Sequence, residues 1–409
     1  MDSGKNTDNI ILCTDRNNRP GWRPVIAIAG ADRYMDYDLL LSLMECCDVI
    51  VLAGNRAYSR NVYKDQTDLL PHMQRRQCDL FSLQSATRAL QGADYAIYLA
   101  HSVMSQARLT QASLADMSAI QADIFARSAC TNGIRHIVCL NGLDSGDLRH
   151  KQHASSLASM LATERILSSY GVPVTTIPTR LPASSAGTHP VPAELANAGR
   201  MLLAAVEAGT RPDRQPGAPD KPPAGHTHKP APDVRSIQRV VLPGNTDAGW
   251  TARYYLEWLG SLLKPLIRID NNDDNLHRIC LRGSRCAILE LTYLSERSSA
   301  ASTVYRISGG VLTKQIFASE SRLEFLQLPG SRECIIAIHD YLPSLPWYLY
   351  KYTQAGVHLL VMAAFRRHLR RMNSHPDDLQ KVFAMGMLQG ITKTWDKLVE
   401  YLETIKKIR

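Results

Sequence analysis

A short apolar run that ends at a glycine, near the start of the chain, constrains the possible folds more than any other feature. Residues 24–29 are almost wholly apolar and stop at Gly30, a helical spacing of leucine and methionine follows, and a second apolar run begins at Val49. This order predicts a strand, a helix and a second strand, with the glycine at the carboxyl end of the first strand. In such a unit the amino end of the helix meets the phosphates of a dinucleotide at that glycine. The sequence therefore predicts a nucleotide-binding α/β unit.

The alternation of strands and helices continues through the first half of the chain. Apolar runs rich in β-branched and aromatic residues predict strands, and segments with helical spacing separate them. A chain that alternates in this way folds into a parallel sheet with helices on both faces. The further predicted strands are 75–80, 93–100, 136–140 and 172–177, and the predicted helices between them are 83–90, 106–130 and 153–170.

A proline-rich segment separates this half from the second. Seven prolines lie between residues 211 and 235, a composition typical of a semi-rigid linker. We therefore predict four parts along the chain. They are a flexible amino-terminal tail at 1–23, a nucleotide-binding domain at 24–210, the linker at 211–235 and a second domain at 236–409.

The second domain has a different pattern, with consecutive short strands between helices. Polar or glycine-containing breaks separate the strands, which predicts an antiparallel meander. A long helical pattern after the meander suggests a helix-grip arrangement within an α+β domain. The predicted strands are 287–293, 303–307, 311–317, 321–328 and 333–339; the predicted helices are 250–267 and 346–372, with one or two more in 377–409, and a polar turn is predicted at 270–275.

The composition of the chain indicates its cellular compartment and the kinds of partner that it can bind. Nine cysteines include no C-x-x-C pair, so neither a zinc site nor a closed disulfide framework is indicated, and we predict a cytoplasmic protein without a metal. The net charge of +9 allows an anionic partner. Basic residues do not interleave with aromatics in any recognisable nucleic-acid-binding module, so nucleic acid is not expected.

Several motifs resemble one family. Residues 29–31, 78–80, 98–104, 140–143 and 171–175 are similar to the atypical short-chain dehydrogenase/reductases, at the ends of the predicted strands. Residues 336–347 and 353–369 resemble the uncharacterised domain, helix-grip or START-like, that is fused to the NAD(P)-binding branch of that family. Together these segments cover most of residues 24–372. The resemblance implies a Rossmann-type doubly wound parallel sheet that binds NAD(P) at the carboxyl ends of its strands.

The resemblance also implies a set of cofactor-binding residues. The phosphate loop would begin at Gly30 and Ala31, the adenosine ribose would meet the residues after strand two, adenine those after strand three, and nicotinamide those after strand four. A basic residue after strand two favours NADP over NAD, which prefers an acid there. The implied residues after these strands are Asn55, Arg56, Asp79, Leu80, Ala100, His101 and Ser102.

The chain departs from the family pattern at two places. In the phosphate loop, Arg33 and Asp36 replace the second and third glycines of G-x-x-G-x-x-G. Arg33 is either a charged clamp on the phosphates or an obstruction to them, and Asp36 repels a phosphate by about 1 kcal/mol. No Tyr-x-x-x-Lys pair occurs between residues 141 and 177, where these enzymes carry their proton donor. Asn141 replaces the usual serine, and Asn141 and His153 remain as the candidate catalytic residues.

Two functional hypotheses follow. The first is an NAD(P)-binding oxidoreductase of this family whose site has degenerated, either with residual activity or as a non-catalytic NADP(H)-binding or scaffolding module, a pseudoenzyme. The alternative is a protein that binds a lipid or a membrane surface through its second domain. Segment 345–371 combines aromatic and apolar residues with terminal arginines, which suits an apolar ligand or a peripheral contact at the inner face of the membrane.

Overall fold

A computed structural model describes just over half of the chain. The described residues are 23–30, 43–44, 47–54, 71–99, 109–144, 150–181, 234–273, 275–283, 286–314, 321–346, 350 and 354–374. The chain divides into two compact units, of which unit 1 contains residues 1–106 and 118–227, and unit 2 contains residues 107–117 and 228–409. The ends of the tail and of the linker stay predictions.

Fourteen strands and five α-helices make up the regular structure of the described residues. The strands are β1 (Val25–Ala29), β2 (Asp48–Ala53), β3 (Met73–Gln77), β4 (Tyr95–Leu99), β5 (Leu109–Gln111), β6 (His136–Asp144), β7 (Val174–Leu181), β8 (Val234–Val241), β9 (Ile267–Asp273), β10 (Leu276–Leu281), β11 (Ala287–Tyr293), β12 (Ser302–Gly309), β13 (Arg322–Gln327) and β14 (Glu333–Tyr341). The helices are α1 (Leu83–Ala89), α2 (Leu114–Thr131), α3 (His150–Ser168), α4 (Ala248–Leu262) and α5 (Gln354–Ser374).

Unit 1 contains a six-stranded sheet in which every strand pair is parallel. The strand order is β3-β2-β1-β4-β6-β7. Its central strands are buried on both faces, as residues 26–29 of β1 show with at most 1% exposure. On one face the ring of Tyr98 lies 4.9 Å from that of Phe125 in α2, and the other face packs against Leu43 and Met44. Burial on both faces explains why these strands are continuous apolar runs.

Unit 2 contains an eight-stranded, mostly antiparallel sheet. The order is β5-β8-β14-β13-β12-β11-β10-β9, in which only the pair of β5 and β8 is parallel. An aromatic cluster joins the sheet to both helices, because the ring of Tyr255 in α4 lies 5.8 Å from Phe325 of β13 and 5.0 Å from Phe365 of α5. The predicted fold class, a Rossmann-type α/β sheet plus an α+β domain with an antiparallel meander and a long helix, is confirmed.

The start of α2 differs from the prediction. A helix was predicted from residue 106, whereas residues 109–111 form β5 and the helix begins at Leu114. Ser113 marks the boundary, since its Oγ accepts a hydrogen bond from the Asp116 amide at 3.1 Å and donates one to Asp116 Oδ2 at 2.7 Å. Ser113 is therefore the N-cap of α2, and the helix begins immediately after it.

Three other assignments in unit 2 were wrong. Within the strand predicted at 311–317, residues 311 and 312 form a turn after Gly310, which has a φ of 112°, and Thr313 forms an isolated bridge; residues 315–317 lie outside the described residues. The helix predicted at 250–267 ends at Leu262. The polar turn predicted at 270–275 is largely the hairpin of β9 and β10, where the side chains of His277 and Asn271 pair across the strands at 2.8 Å. Polar residues are compatible with such an edge hairpin because it faces water.

Candidate functional site

The carboxyl edge of the parallel sheet has the geometry of a ligand site. From β1 the chain goes to β2 on one side, and β4 pairs with β1 on the other side, so the strand order reverses next to β1. Gly30 follows β1 directly and has a φ of 86°, a left-handed conformation that glycine adopts without strain. In doubly wound sheets, ligands bind in the crevice at this switch point. Unit 1 is a Rossmann fold.

Asp79 and Leu80 follow β3 at the same edge of the Rossmann fold. The Cys78 amide donates to the carbonyl of Ala53 at 2.9 Å, which continues the strand pairing to this point. Asp79 Oδ1 accepts from the Phe81 amide at 2.9 Å, and the Asp79 amide donates to Ser85 Oγ at 3.0 Å. Leu80 is buried and Asp79 is partly exposed. The turn therefore holds Asp79 rigidly, with part of its carboxylate engaged by the backbone.

Strands β6 and β7 extend beyond the rest of the sheet at this edge. Leu140 of β6 is paired with Leu99, the last residue of β4, but the pairing of β6 with β7 continues from Asn141 opposite Pro178 to Asp144 opposite Leu181. Asn141 thus lies within a strand, at the same edge as Gly30 and Asp79. His153 lies in the first turns of α3.

The other predicted cofactor residues lie outside the described residues, as do the two loop substitutions. These positions are Ala31, Arg33, Asp36, Asn55, Arg56, Ala100, His101 and Ser102.

Sequence reasoning missed the role of Tyr170, which is the single tyrosine in residues 141–177. Its hydroxyl donates to Asp123 Oδ1 at 2.5 Å, and Arg127 Nη2 lies 2.6 Å from Asp123 Oδ2. Burial, and then the charge of Asp123, raise the pKa of Tyr170. Gly171 connects Tyr170 to the segment that enters β7 at its amino end. Tyr170 therefore precedes the amino end of this strand and does not follow its carboxyl end, where the candidate site lies. A proton-donating tyrosine needs the opposite shift in pKa.

Buried cysteines beside the strand ends have thiols that stay protonated. Burial raises the pKa of Cys78, and it raises the pKa of Cys139 to about 12. A thiol is nucleophilic as the thiolate, so these two act as packing residues. Among the described residues, no group of three or more histidine, cysteine or acidic side chains is placed to hold a metal ion.

In segment 345–371, predicted to meet a lipid, several of the described residues pack within unit 2. Leu345, Tyr350 and Phe365 are buried. His358 Nε2 lies 3.0 Å from Ser236 Oγ of β8, and burial lowers the pKa of His358 to about 4. Within the described part of the chain, no helix has the length and apolar character needed to cross a membrane.

The chain was compared with known proteins by sequence and by structure. No protein-family model matches it. It is 25% identical over 293 residues to the Auxiliary protein GraX of Staphylococcus aureus, an alignment that covers 71% of this chain and 77% of that protein.

The solved structures that match include reductases with a bound nucleotide. An NADPH-dependent quinone oxidoreductase from Escherichia coli, complexed with NADPH, is 21% identical with a TM-score of 0.27, over 37% of this chain and 47% of that chain. The Citrobacter triphenylmethane reductase, complexed with NADP(H), is 18% identical with a TM-score of 0.27, over 37% and 48%. The Bordetella bronchiseptica enzyme WbmH, in complex with NAD+, is 14% identical with a TM-score of 0.29, over 38% and 56%.

This chain therefore spans about half the length of each of these three structures. The Rossmann-type fold that the resemblance implied is confirmed for unit 1 by its parallel strand order. The nature of unit 2 beyond its architecture stays a prediction.

Proposed function

We propose that unit 1 binds NADP(H), with NAD(H) bound more weakly, and that the protein is an auxiliary dinucleotide-binding module without robust oxidoreductase activity. The main support for this proposal is the conformation and position of Gly30. This residue has a left-handed backbone and lies directly after β1, at the switch point of the sheet. A Rossmann fold binds a pyrophosphate at that position.

Two observations support the non-catalytic part of the proposal. Tyr170 is held by buried Asp123, with a raised pKa, and so is unsuited to donate a proton near neutral pH. Asn141, at the position of the family's serine, lies in the paired extension of β6 and β7. The name of the similar Staphylococcus aureus protein, which designates it as auxiliary, agrees with an accessory role.

The preference for NADP(H) rests on the residues that follow β2. Asn55 and Arg56 are the next residues after Gly54, and no acid is present there to select the free 2′-hydroxyl of NAD. An arginine can pair with the 2′-phosphate in two hydrogen bonds. Arg33 serves in this proposal as a charged clamp on the pyrophosphate.

The first prediction tests dinucleotide binding. We expect saturable binding of NADPH below millimolar concentration, and weaker binding of NADH, when the purified protein is titrated and followed by nucleotide fluorescence. The Gly30→Ala variant should weaken NADPH binding by about tenfold or more, since a Cβ both strains the left-handed backbone and hinders approach of the phosphates.

Gly171→Ala is the matched control for backbone strain. Gly171 also has a left-handed φ, of 77°, and nothing lies within 4 Å of an added Cβ, but it precedes β7 at the amino side of the strands. This variant should keep NADPH affinity within about twofold of the original protein. Failure of the original protein to bind either nucleotide at millimolar concentration would refute the proposal, and steady NADPH oxidation with carbonyl or quinone substrates would refute its non-catalytic part.

A second candidate function is contact with an anionic membrane surface through α5. Leu359 and Leu360 are exposed by 40% and 39%, whereas other apolar residues of the same helix, such as Phe365 and Leu369, are buried. Leu360, Ala363, Arg367 and Arg370 recur at helical spacing on the exposed side of α5. Exposed leucines next to arginines are typical of a helix that lies on a membrane surface.

The second prediction tests this candidate with vesicles. We expect the protein to sediment with vesicles of phosphatidylglycerol and phosphatidylcholine more than with phosphatidylcholine alone, because of the arginines. Replacing both Leu359 and Leu360 by glutamine should reduce the bound fraction by half or more. Leu161→Gln, at a leucine of α3 that is 51% exposed, is the matched control and should have no effect. Equal sedimentation of all three proteins would argue against the contact.

A further inference from the structure

A row of arginines crosses one face of the sheet in unit 2. Leu323 and Phe325 of β13 belong to the core shared with α4 and α5, so the alternate residues of that strand project from the opposite face, which we call the far face. Arg322 lies on the far face, directly opposite Arg306 of β12, and opposite His339 of β14 on its other side. Arg235 of β8 lies next in this direction.

Asp340, an acid beside this row, is engaged by two of these arginines. Asp340 has a φ of 52° and lies where the pairing of β14 with β8 is irregular. Its carboxylate accepts a hydrogen bond from Arg322 Nη1 at 2.9 Å and one from Arg235 Nη2 at 3.3 Å. An irregularity of this kind re-aims a side chain, and here it directs the acid between the two guanidinium groups.

Glu324, a second acid on the far face, is also already engaged. Its Oε1 accepts from Ser302 Oγ at 3.2 Å. Its Oε2 lies 3.7 Å from Arg322 Nε and 3.5 Å from His339 Nε2. Glu324 is 4% exposed and Arg322 is 8% exposed, so these charges compensate one another inside the protein.

Among the described residues, no acid compensates the charge of Arg306. Its Nε is buried and has no hydrogen-bond partner, and no ion pair of Arg306 occurs among the residues that the structure describes. Its neighbours across the strands are Arg322 on one side and Thr292 on the other. A buried donor without a partner costs stability, and like charges on directly opposite residues repel each other.

We propose that Arg306 and Arg322 form a binding site for an oxyanion, the phosphate or carboxylate group of a small ligand. Two guanidinium groups on directly opposite residues have Cβ atoms about 5 Å apart, which lets both donate to one such group. The hydroxyls of Thr292 and Ser308, bonded to each other at 2.8 Å, flank the site. An oxyanion supplies the missing acceptor for Arg306 and screens its repulsion from Arg322.

The third prediction tests this site with the full-length protein. Inorganic phosphate and acetate are added separately, at an ionic strength held constant with potassium chloride, and the unfolding midpoint is measured. We expect phosphate, acetate or both to raise the midpoint by roughly 2–5 °C at ten times the dissociation constant, because a ligand that binds only the folded state stabilises it. Which anion acts identifies the group that the site accepts.

Three variants test whether the rise of the unfolding midpoint depends on Arg306. Arg306→Gln should abolish the anion response and, without added anion, should unfold at the same temperature as the original protein or higher, since it removes a repulsive charge. Arg306→Lys should retain part of the response, because an ammonium keeps the charge but not the two-pronged geometry. Arg297→Gln makes the same charge change at an exposed arginine and should respond like the original protein.

Two results would overturn the proposal: no response of the original protein to either anion, or an undiminished response of Arg306→Gln. This site is independent of dinucleotide binding. Arg306→Gln should therefore leave NADPH affinity unchanged, and Gly30→Ala should leave the anion response unchanged.

Discussion

The Phe365→Ala variant is expected to lose about 3–5 kcal/mol of unfolding free energy, the usual cost of removing a fully buried phenylalanine. Phe365 is 0% exposed, and its ring lies 4.9 Å from that of Trp258 and 5.0 Å from that of Tyr255, both in α4. The side chain thus holds α5 against α4 and the sheet. Removing it leaves a cavity that the surrounding rings cannot fill without moving.

Urea unfolding followed by tryptophan fluorescence measures this loss, with Trp258 as a neighbouring reporter. Leu359→Ala is the matched control in the same helix, because Leu359 is 40% exposed. Its unfolding free energy should change by no more than about 0.5 kcal/mol. If the two variants were equally stable, the aromatic cluster would not be the core of unit 2.

The Arg127→Met variant is expected to lose about 3 kcal/mol of unfolding free energy, because it removes the arginine that is paired with the buried carboxylate of Asp123. The side chain of Asp123 is 3% exposed, and it accepts from Arg127 Nε at 2.7 Å as well as from Tyr170. Adding Asp123→Asn to Arg127→Met should restore most of the lost unfolding free energy. The neutral amide needs no counter-charge, and its oxygen can still accept a hydrogen bond from Tyr170.

Chemical unfolding of both single variants and of the double variant completes a mutant cycle for this pair. Arg88→Met, at an exposed arginine of α1, is the control and should be nearly neutral. A double variant no more stable than Arg127→Met would contradict the assigned role of the ion pair. None of these variants should change NADPH affinity by more than about twofold if the dinucleotide lies at the carboxyl edge of the sheet.

Local patterns predicted the fold of unit 1 well because its strands and helices are each encoded within a short segment. The predicted strand 93–100 contains β4, and the predicted helix 83–90 is α1 with one residue more. Gly30 was recognised as the end of a strand from its immediate neighbours. By contrast, the segment at 106–113 has helical spacing and yet contains β5, since pairing with β8, more than a hundred residues away, overrides the local preference.

The candidate site was only partly predictable, because it too depends on contacts between segments that are distant in the sequence. The positions of Asp79 and Asn141 at the carboxyl edge follow from the strand pattern, but the engagement of Asp79 by its own turn does not. Tyr170 was judged only by its distance from a lysine in the sequence, whereas its pKa depends on Asp123, 47 residues away.

By itself, the sequence determined the alternation of strands and helices, the glycine at the end of β1 and the change to a meander in the second half. These features depend on periodicity and backbone preference over a few residues. Only the tertiary structure decided that Arg306 lies opposite Arg322 and that Asp340 lies between Arg322 and Arg235. The charge balance of a buried group depends on neighbours from distant segments, and folding alone brings those neighbours together.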